Sequence, residues 1–412
     1  MASTLLRNTL KVLSWQLARA ALQALWAIGL ARLLGVEGYG TFAGLTGLAT
    51  ALGAFCGLGF GLLMLQAASR DPAALGTHWG RSLWRLFGSA ALLAMVYLVL
   101  VDLWLPHQVK LLGLIAIVVS ELAATPLTIL ASYAFQSQDR MGWAGGMYAL
   151  APVGNVAALL GCVLFQGTVE LDTYLGWHIS GAVGAAVVAL FSVGFLLRPR
   201  WSPGRARGVE YKDAGGFLAM RVVDTGLGTI DKSAVLRLAG PEVAGHYTAA
   251  YRLAALIALP AVSLAVSSAP KLFRQAGDAI SQRRFLRRLL GAGVLLGMLS
   301  VPLAWCLSWL VPSLFGRDFE RAAELARSNL LFPALLGLAS LGCTMLMACG
   351  RKAVRLALQL GALLILILVM WMLVPAWAGP GAIAALNITY AALVMGLWWV
   401  LWRPVGIDGE TK

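Results

Sequence analysis

The sequence predicts an all-α integral membrane protein of about twelve transmembrane helices in two parallel six-helix bundles, and three observations carry that prediction. Of its 412 residues, 60% are apolar and only 12% are Asp, Glu, Lys or Arg, about half the charged share of an ordinary soluble domain. The apolar residues fall into repeated blocks of about 20, the length at which an α-helix crosses roughly 30 Å of hydrocarbon, and the mean hydropathy is +0.80. A nine-residue stretch near the start recurs just past the midpoint, at the same place in the order of blocks.

Apolar runs bounded by charge, Gly and Pro place spans at 11–33, 39–66, 83–105, 110–133, 142–166 and 174–197. A basic linker follows, and six further spans lie at 214–238, 245–270, 289–311, 328–349, 353–374 and 380–402. The chain thus divides into a six-helix lobe at 1–197, a linker at 198–213, a second lobe at 214–403 and a tail at 404–412. The N-terminus has a few polar residues and then a long span with Arg19. It lacks the small-residue cleavage site of a secretory signal, so it is read as a retained first span.

The 32 basic residues outnumber the 18 acidic ones, for a net charge of +14. They sit in short segments between apolar blocks, which points to orientation signals rather than to nucleic acid. With the N-terminus inside, 22 Lys and Arg fall on the cytoplasmic side and six on the other, leaving Arg19, Arg221, Lys232 and Arg252 at membrane depth. Basic loops are retained in the cytoplasm, so both termini are expected there. The strip Arg198, Arg200, Arg205, Arg207 and Lys212 also suits anionic membrane lipids.

The recurring stretch is Arg32-Leu33-Leu34-Gly35-Val36-Glu37-Gly38-Tyr39-Gly40, which aligns with Arg237-Leu238-Ala239-Gly240-Pro241-Glu242-Val243-Ala244-Gly245. Five of nine positions match at an offset of 205, and both copies join the first two spans of a half on the same side. Parallel halves require that; inverted repeats would not give it.

Ionisable groups at membrane depth are costly and usually face a protein interior or a water-filled cavity. On span seven, Arg221, Asp224, Gly228, Asp231 and Lys232 share an arc of about 100°, with Lys232 roughly 16 Å along the axis from Arg221. Arg221 could pair with Asp224, and Asp231 with a neighbouring cation, simply to join helices; ion pairs are expensive glue where small residues can pack, so a cavity is preferred. Span eight adds Arg252 with Tyr247 and Tyr251, although a long side chain near a helix end can also snorkel. Span one presents Trp15, Gln16, Arg19, Gln23 and Trp26 on one face, and span four presents Glu121, Thr125, Thr128 and Ser132 beside a bend at Pro126. That hydroxyl stripe suits interhelical glue as well as a cavity lining.

Cys56, Cys162, Cys306, Cys343 and Cys349 lie in or at the ends of apolar blocks without CxxC spacing, so neither a disulfide framework nor a metal site is expected. No phosphate-binding glycine loop, HExxH or GxSxG occurs, and no extramembrane segment could hold a nucleotide. The chain is therefore expected to need no cofactor and not to be an enzyme. An ion gradient or the membrane potential is the remaining energy source, with Asp224, Asp231 and Glu121 as candidate proton or sodium sites.

The stretch from Arg32 to Phe42 resembles the first outer turn of polysaccharide flippases. Ile230-Asp231-Lys232 and Gly240 to Arg252 are similar to their second-half signature. The chain is identified as resembling the polysaccharide transporters, including Wzx-type O-antigen flippases, of the superfamily that also holds multidrug exporters and lipid II flippases. The resemblance implies two six-helix lobes around a central cationic cavity that opens alternately to each side of the bacterial inner membrane. It implies an undecaprenyl-pyrophosphate-linked oligosaccharide as substrate and a polysaccharide polymerase as a candidate partner. Asp231, Lys232 and Arg252 fall at motif positions; Arg19, Arg221 and Asp224 rest on the helical argument. Guanidinium groups bind pyrophosphate oxygens in pairs, and Trp15, Gln23, Tyr247 and Tyr251 could wall a sugar chain. The alternatives are a cation-coupled multidrug exporter or lipid II flippase of the same fold, and, from another class, a membrane-embedded glycosyltransferase or ligase. An exporter of cationic drugs would favour acidic and apolar walls, and a transferase a large outer loop with catalytic acids.

Cysteines introduced at Arg205 and Arg284 are expected to react only with a reagent added from the cytoplasm, and those at Val36 and Pro241 only with one added from outside. Labelling of both pairs from one side would defeat the twelve-span topology.

Overall fold

The computed structural model describes residues 2–106, 108–166, 169–199, 208–274 and 279–402, so Arg200, Arg205 and Arg207 of the linker and the tail at 404–412 lie outside the described residues. All the regular secondary structure of the described residues is helical, with no strand among them. They form two units: one of residues 1–245 with 314–318, the other of residues 246–313 with 319–412. Span seven thus belongs with the first six spans.

Unit one begins with α1 (Ala2–Gly53), α2 (Phe60–Arg70) and α3 (Leu75–Trp104). Next come α4 (Leu111–Val118), a π-helical turn (Val119–Ala124) and α5 (Thr125–Ser137), which run on as one element. Two more helices, α6 (Met141–Phe165) and α7 (Leu171–Leu196), lead to the first arm of α8 (Gly208–Arg274). The second arm of α8 carries the chain into unit two, which continues with α9 (Ala279–Ser308), α10 (Val311–Phe315), α11 (Glu320–Ser328), α12 (Phe332–Ala348) and α13 (Lys352–Trp402). Eight helices among the described residues are long and apolar enough to cross a membrane, or nine if α11 and α12, bent by 56°, count as one span.

Three of these helices are longer than one crossing needs, and each breaks at one residue. In α1 the break is Gly35 (φ 66°, ψ −174°) and in α8 it is Gly240 (φ 85°, ψ 175°), a conformation essentially restricted to glycine. These two glycines occupy equivalent positions of the repeat, and they share one backbone conformation. In α13 the break is Ala378 (φ 46°), between Pro375 and Pro380.

The second expected span, 39–66, is not continuous. Its helix ends at Gly53, and a turn with positive φ at Gly57 (77°), Leu58 (50°) and Gly59 (77°) precedes α2. Positive φ at three successive residues cannot continue a right-handed helix, so the glycines of Cys56-Gly57-Leu58-Gly59 end it. The bend expected near Pro126 takes the form of the π-helical turn just before it, because proline supplies no N–H to the preceding turn.

Small residues set the helix contacts, as expected where lipid and protein are equally apolar. A Cβ on Gly154 of α6 would lie 2.4 Å from the Gly181 carbonyl oxygen of α7, and one on Gly181 would lie 2.2 Å from that of Gly154. The repeat turns meet in the same reciprocal way. A Cβ on Gly40 would stand 1.9 Å from Pro241 O, and one on Gly245 would stand 2.2 Å from Val36 O. Further along, the Ser233 hydroxyl donates to Gly44 O at 2.7 Å, and Gly47 faces Thr229 and Ser233. The core of unit one gathers Trp79, Leu83, Leu127, Leu130, Phe135 and Val193, and that of unit two gathers Leu289, Leu341 and Met345. Outward faces carry Trp84, Leu103, Phe165 and Phe191, all more than two-thirds exposed, a surface suited to lipid.

Gly40→Ala and Gly245→Ala are each expected to destabilise the purified protein by about 1 to 3 kcal/mol, because backbone must move to admit a methyl group. Gly88→Ala, where a Cβ meets nothing within 4 Å, serves as the control and should not. Thermal unfolding followed by tryptophan fluorescence measures it; unchanged melting of both variants would show that the turns do not pack this way.

Candidate functional site

The ionisable groups expected at membrane depth divide between the units. Unit one holds Arg19, Glu121, Arg221, Asp224, Asp231 and Lys232, together with Gln23; unit two holds Arg252, Tyr247 and Tyr251.

On the first arm of α1, Trp15 lies against Gly145 and Gly146 of α6, which have no side chains to exclude its indole. One turn on, the Arg19 guanidinium sits over the Tyr148 ring, 5.1 Å from its centroid, a cation–π contact. Its Nε is buried without a hydrogen-bond partner, so this donor remains open. Tyr148 shares a side-chain hydrogen bond with Tyr133 of α5, and Arg221 of α8 bears electrostatically on Tyr133 and on Cys56. Arg19 of α1 thus touches one member of a hydrogen-bonded tyrosine pair, and Arg221 of α8 acts electrostatically on the other. Gln23 and Asp224 are exposed.

Asp231 and Lys232 sit farther along α8, where Gly44 and Gly47 of α1 face that helix. Asp231 is fully buried and Lys232 is 7% exposed. The Lys232 Nζ donates to the two Asp231 carboxylate oxygens at 2.8 and 3.0 Å and to Gly228 O at 2.6 Å. Adjacent side chains leave a helix about 100° apart, so the lysine stem must curl back to reach its neighbour. Of the two roles the sequence leaves open for Asp231, this geometry is the pairing with a neighbouring cation.

The hydroxyl stripe of span four divides. Ser132 donates to Ala144 O of α6 at 2.8 Å and so joins two helices, while Thr128 donates to Thr125 O of its own helix. Glu121, in the π-helical turn, instead meets Thr50 of α1 at 3.1 Å and the His178 imidazole of α7 at 3.8 Å. His178 was not among the residues singled out from the sequence, although an ionisable group inside an apolar span is itself a signal. Tyr133 and Tyr148 carried no such mark, since tyrosines are ordinary members of apolar spans.

At one end of unit one, Arg81 pairs with Glu210 at 3.0 Å, and Arg85 donates to the Tyr211 hydroxyl at 2.6 Å while lying 4.2 Å over the Phe60 ring. These contacts fasten the start of α8 to α2 and α3. In unit two, Tyr247, Tyr251, Phe332 and Tyr390 form a chain of rings with successive centroid separations of 6.4, 5.4 and 5.1 Å. Tyr247 is fully buried in it, and Tyr251 and Arg252 are half-buried. All five cysteines are free, and no metal-binding group of His, Cys, Asp and Glu occurs among the described residues.

Residues 5–274 match the model of a family described as polysaccharide biosynthesis protein. No curated protein matches the sequence significantly. Among solved structures, the fold is similar to an inward-facing multidrug resistance MATE family transporter of the MOP superfamily, at TM-score 0.66 and 14% identity, covering 93% of this chain and 94% of that one. It is similar also to the lipid II flippase MurJ in an inward closed conformation, at TM-score 0.69 and 11% identity over 95% of this chain and 87% of MurJ. A Vibrio cholerae MATE transporter aligns at TM-score 0.60 and 14% identity over 96% and 94%. The fold is thus shared with these transporters and with this flippase.

Lys232→Met is expected to lower membrane abundance, because it strips the ammonium from a fully buried carboxylate, a loss worth about 3 to 5 kcal/mol in soluble proteins. Asp231→Asn combined with Lys232→Met should restore much of it. Normal abundance of the single variant, measured by immunoblot of membranes, would mean that the pair does not hold the fold.

Proposed function

The chain belongs to the polysaccharide biosynthesis protein family, and from that premise we propose that it is a flippase for a lipid-linked oligosaccharide. In this reading the substrate is an undecaprenyl-pyrophosphate-linked glycan. It crosses the bacterial inner membrane by alternating access, for O-antigen, capsule or exopolysaccharide assembly. Both termini are cytoplasmic, as the distribution of Lys and Arg suggests. Counting each of the three broken helices as two spans, and α11 with α12 as one, turns the nine candidate spans into the expected twelve.

The observation that carries the reading is the Arg19 guanidinium over Tyr148, with Arg221 acting electrostatically on its hydrogen-bonded partner Tyr133, inside unit one. A pyrophosphate is a dense anion with many acceptor oxygens, and guanidinium offers planar pairs of donors to such oxygens. The open Nε of Arg19 supplies one donor with no competing partner. Tyrosine hydroxyls and rings beside it suit the first sugar, which needs both hydrogen bonds and a flat apolar face. Unit two by itself holds groups of the same kind, Arg252 and Tyr251. Lys232 adds positive charge to the same helix, though its ammonium is already held by Asp231. A drug exporter handling cations would gain nothing from guanidinium groups at this place.

Arg19→Ala and Arg221→Ala are expected to cut export of lipid-linked glycan about tenfold to a hundredfold, the worth of one hydrogen bond to a charged group. Membrane abundance should stay normal. Lysine at either position should restore part of the export, returning the charge without the fork. Arg221→Ala combined with Asp224→Ala discriminates: recovered export in the double variant would mean that Arg221 serves only to balance Asp224, and full export by either single variant would defeat the anion site.

A further inference from the structure

Unit one also holds a half-buried carboxylate and a buried imidazole that the anion site does not use, and we propose that Glu121 and His178 together form a proton-binding site that couples export to a proton gradient. What the proton drives rests on the flippase reading; where it binds rests on the geometry alone.

Hydrogen counting around Thr50 locates the proton. Thr50 Oγ1 lies 2.7 Å from Thr46 O and 3.1 Å from Glu121 Oε2. A hydroxyl has one hydrogen to donate, and the Thr46 carbonyl can only accept. With Glu121 ionised, both oxygens compete for that hydrogen and one contact goes unmade. With Glu121 protonated, the carboxyl donates to Thr50, Thr50 donates to Thr46, and both contacts are satisfied. The observed arrangement suits the protonated carboxyl.

His178 supplies the second position. It is 1% exposed, neither ring nitrogen has a hydrogen-bond partner, and Nε2 stands 3.8 Å from Glu121 Oε1. Its ring is held by Trp26, stacked at 6.5 Å, by Phe42, edge-on at 5.5 Å, and by Tyr174 at 5.8 Å. A buried imidazole with an unused donor and an unused acceptor is costly in a single static arrangement. It is explained if a second arrangement uses it. When the carboxyl turns its O–H from Thr50 toward His178, and that O–H bond breaks as an N–H bond forms at Nε2, one proton has moved within the pair and the net charge is unchanged. The resulting carboxylate then takes the Thr50 hydrogen, and Thr46 O loses it.

The other titratable groups facing the pair are Tyr97 of α3 and Tyr174 of α7. The Tyr97 hydroxyl donates to Leu45 O at 3.2 Å, and the Tyr174 hydroxyl accepts from the Trp26 indole at 2.7 Å. Tyr97 also lies within electrostatic reach of Glu121. Among the described residues, no ion pair joins Glu121 or His178 to a Lys or Arg. Proton position therefore decides which partner Thr50 serves, and Thr50 stands one turn before α1 ends at Gly53. There a Cβ would lie 2.9 Å from Glu121 O. The π-helical turn that carries Glu121 is a distortion often found at functional sites.

The test is infrared difference spectroscopy of the full-length protein in liposomes as pH is changed, which detects protonated carboxyl groups whether or not substrate is present. Besides the bands of the other Asp and Glu, a titrating carboxylic-acid carbonyl component is expected in the wild type, absent in Glu121→Gln, shifted in His178→Gln and retained in Asp231→Asn. No such component in the wild type, its persistence in Glu121→Gln, or its loss in Asp231→Asn would overturn the site, and the wild-type spectrum decides even if a variant fails to fold. Export of lipid-linked glycan by the same proteins, with and without a protonophore, separates the two readings. If the bands are as expected and the wild type moves no glycan, the site stands and the flippase reading falls. If the wild type moves glycan and Glu121→Gln still responds fully to the protonophore, the flippase reading stands and the site falls.

Discussion

Where the two copies of the repeat meet, backbone touches backbone, and only glycine permits it. Gly40 faces Pro241 O and Gly245 faces Val36 O, positions related by the same offset of 205 that aligns the two stretches. A contact that repeats itself under exchange of partners is what a local two-fold relation produces. From that meeting point the second arm of α1 runs along the first arm of α8, with Gly44 and Gly47 keeping the two close. The same arm presents Thr46 and Thr50 on another side, toward Glu121. One close approach thus sets the position of a helix that serves two charged neighbourhoods.

The low dielectric around these helices makes each internal charge a separate physical problem, and the chain solves it in three ways. Asp231 receives three-ångström contact from the ammonium next to it in sequence. Arg19 spreads its charge over an aromatic face, which stabilises a cation without consuming its donors. Glu121 stands beside an imidazole and a hydroxyl, groups that can trade a hydrogen with it. The first arrangement is closed, the second leaves room for an anion, and the third leaves room for a proton. Residue type alone does not separate them; the partner does.

Much of this was legible in the sequence because hydrophobic length is a one-dimensional property. Apolar blocks gave the helices, and the Arg32–Gly40 repeat marked both glycine breaks. The reading failed where glycine chemistry acted inside a block: the run from Cys56 to Gly59 looks apolar yet turns the chain. It was also silent on partners. Arg19 and Arg221 stood out as cations at depth, but Tyr133 and Tyr148 are visible only once α5 and α6 are packed together. His178 could have been found by applying to histidine the rule that identified Arg19. Tyr247, expected at a cavity wall, is buried beside Tyr251 in the ring stack of unit two, a placement that depends on neighbours from α12 and α13.

The single-residue breaks in α1, α8 and α13 leave almost no connecting peptide between their arms. A protease needs several extended residues to bind, and an antibody needs a projecting surface. Neither finds purchase where helix resumes one residue after it stops. Such joints also offer no slack for added or deleted residues, since a one-residue change would rotate the following arm by about 100° and turn its lipid face inward. Variation in length within such a protein must therefore be accommodated elsewhere, and these three corners should behave as fixed points around which the rest of the sequence drifts.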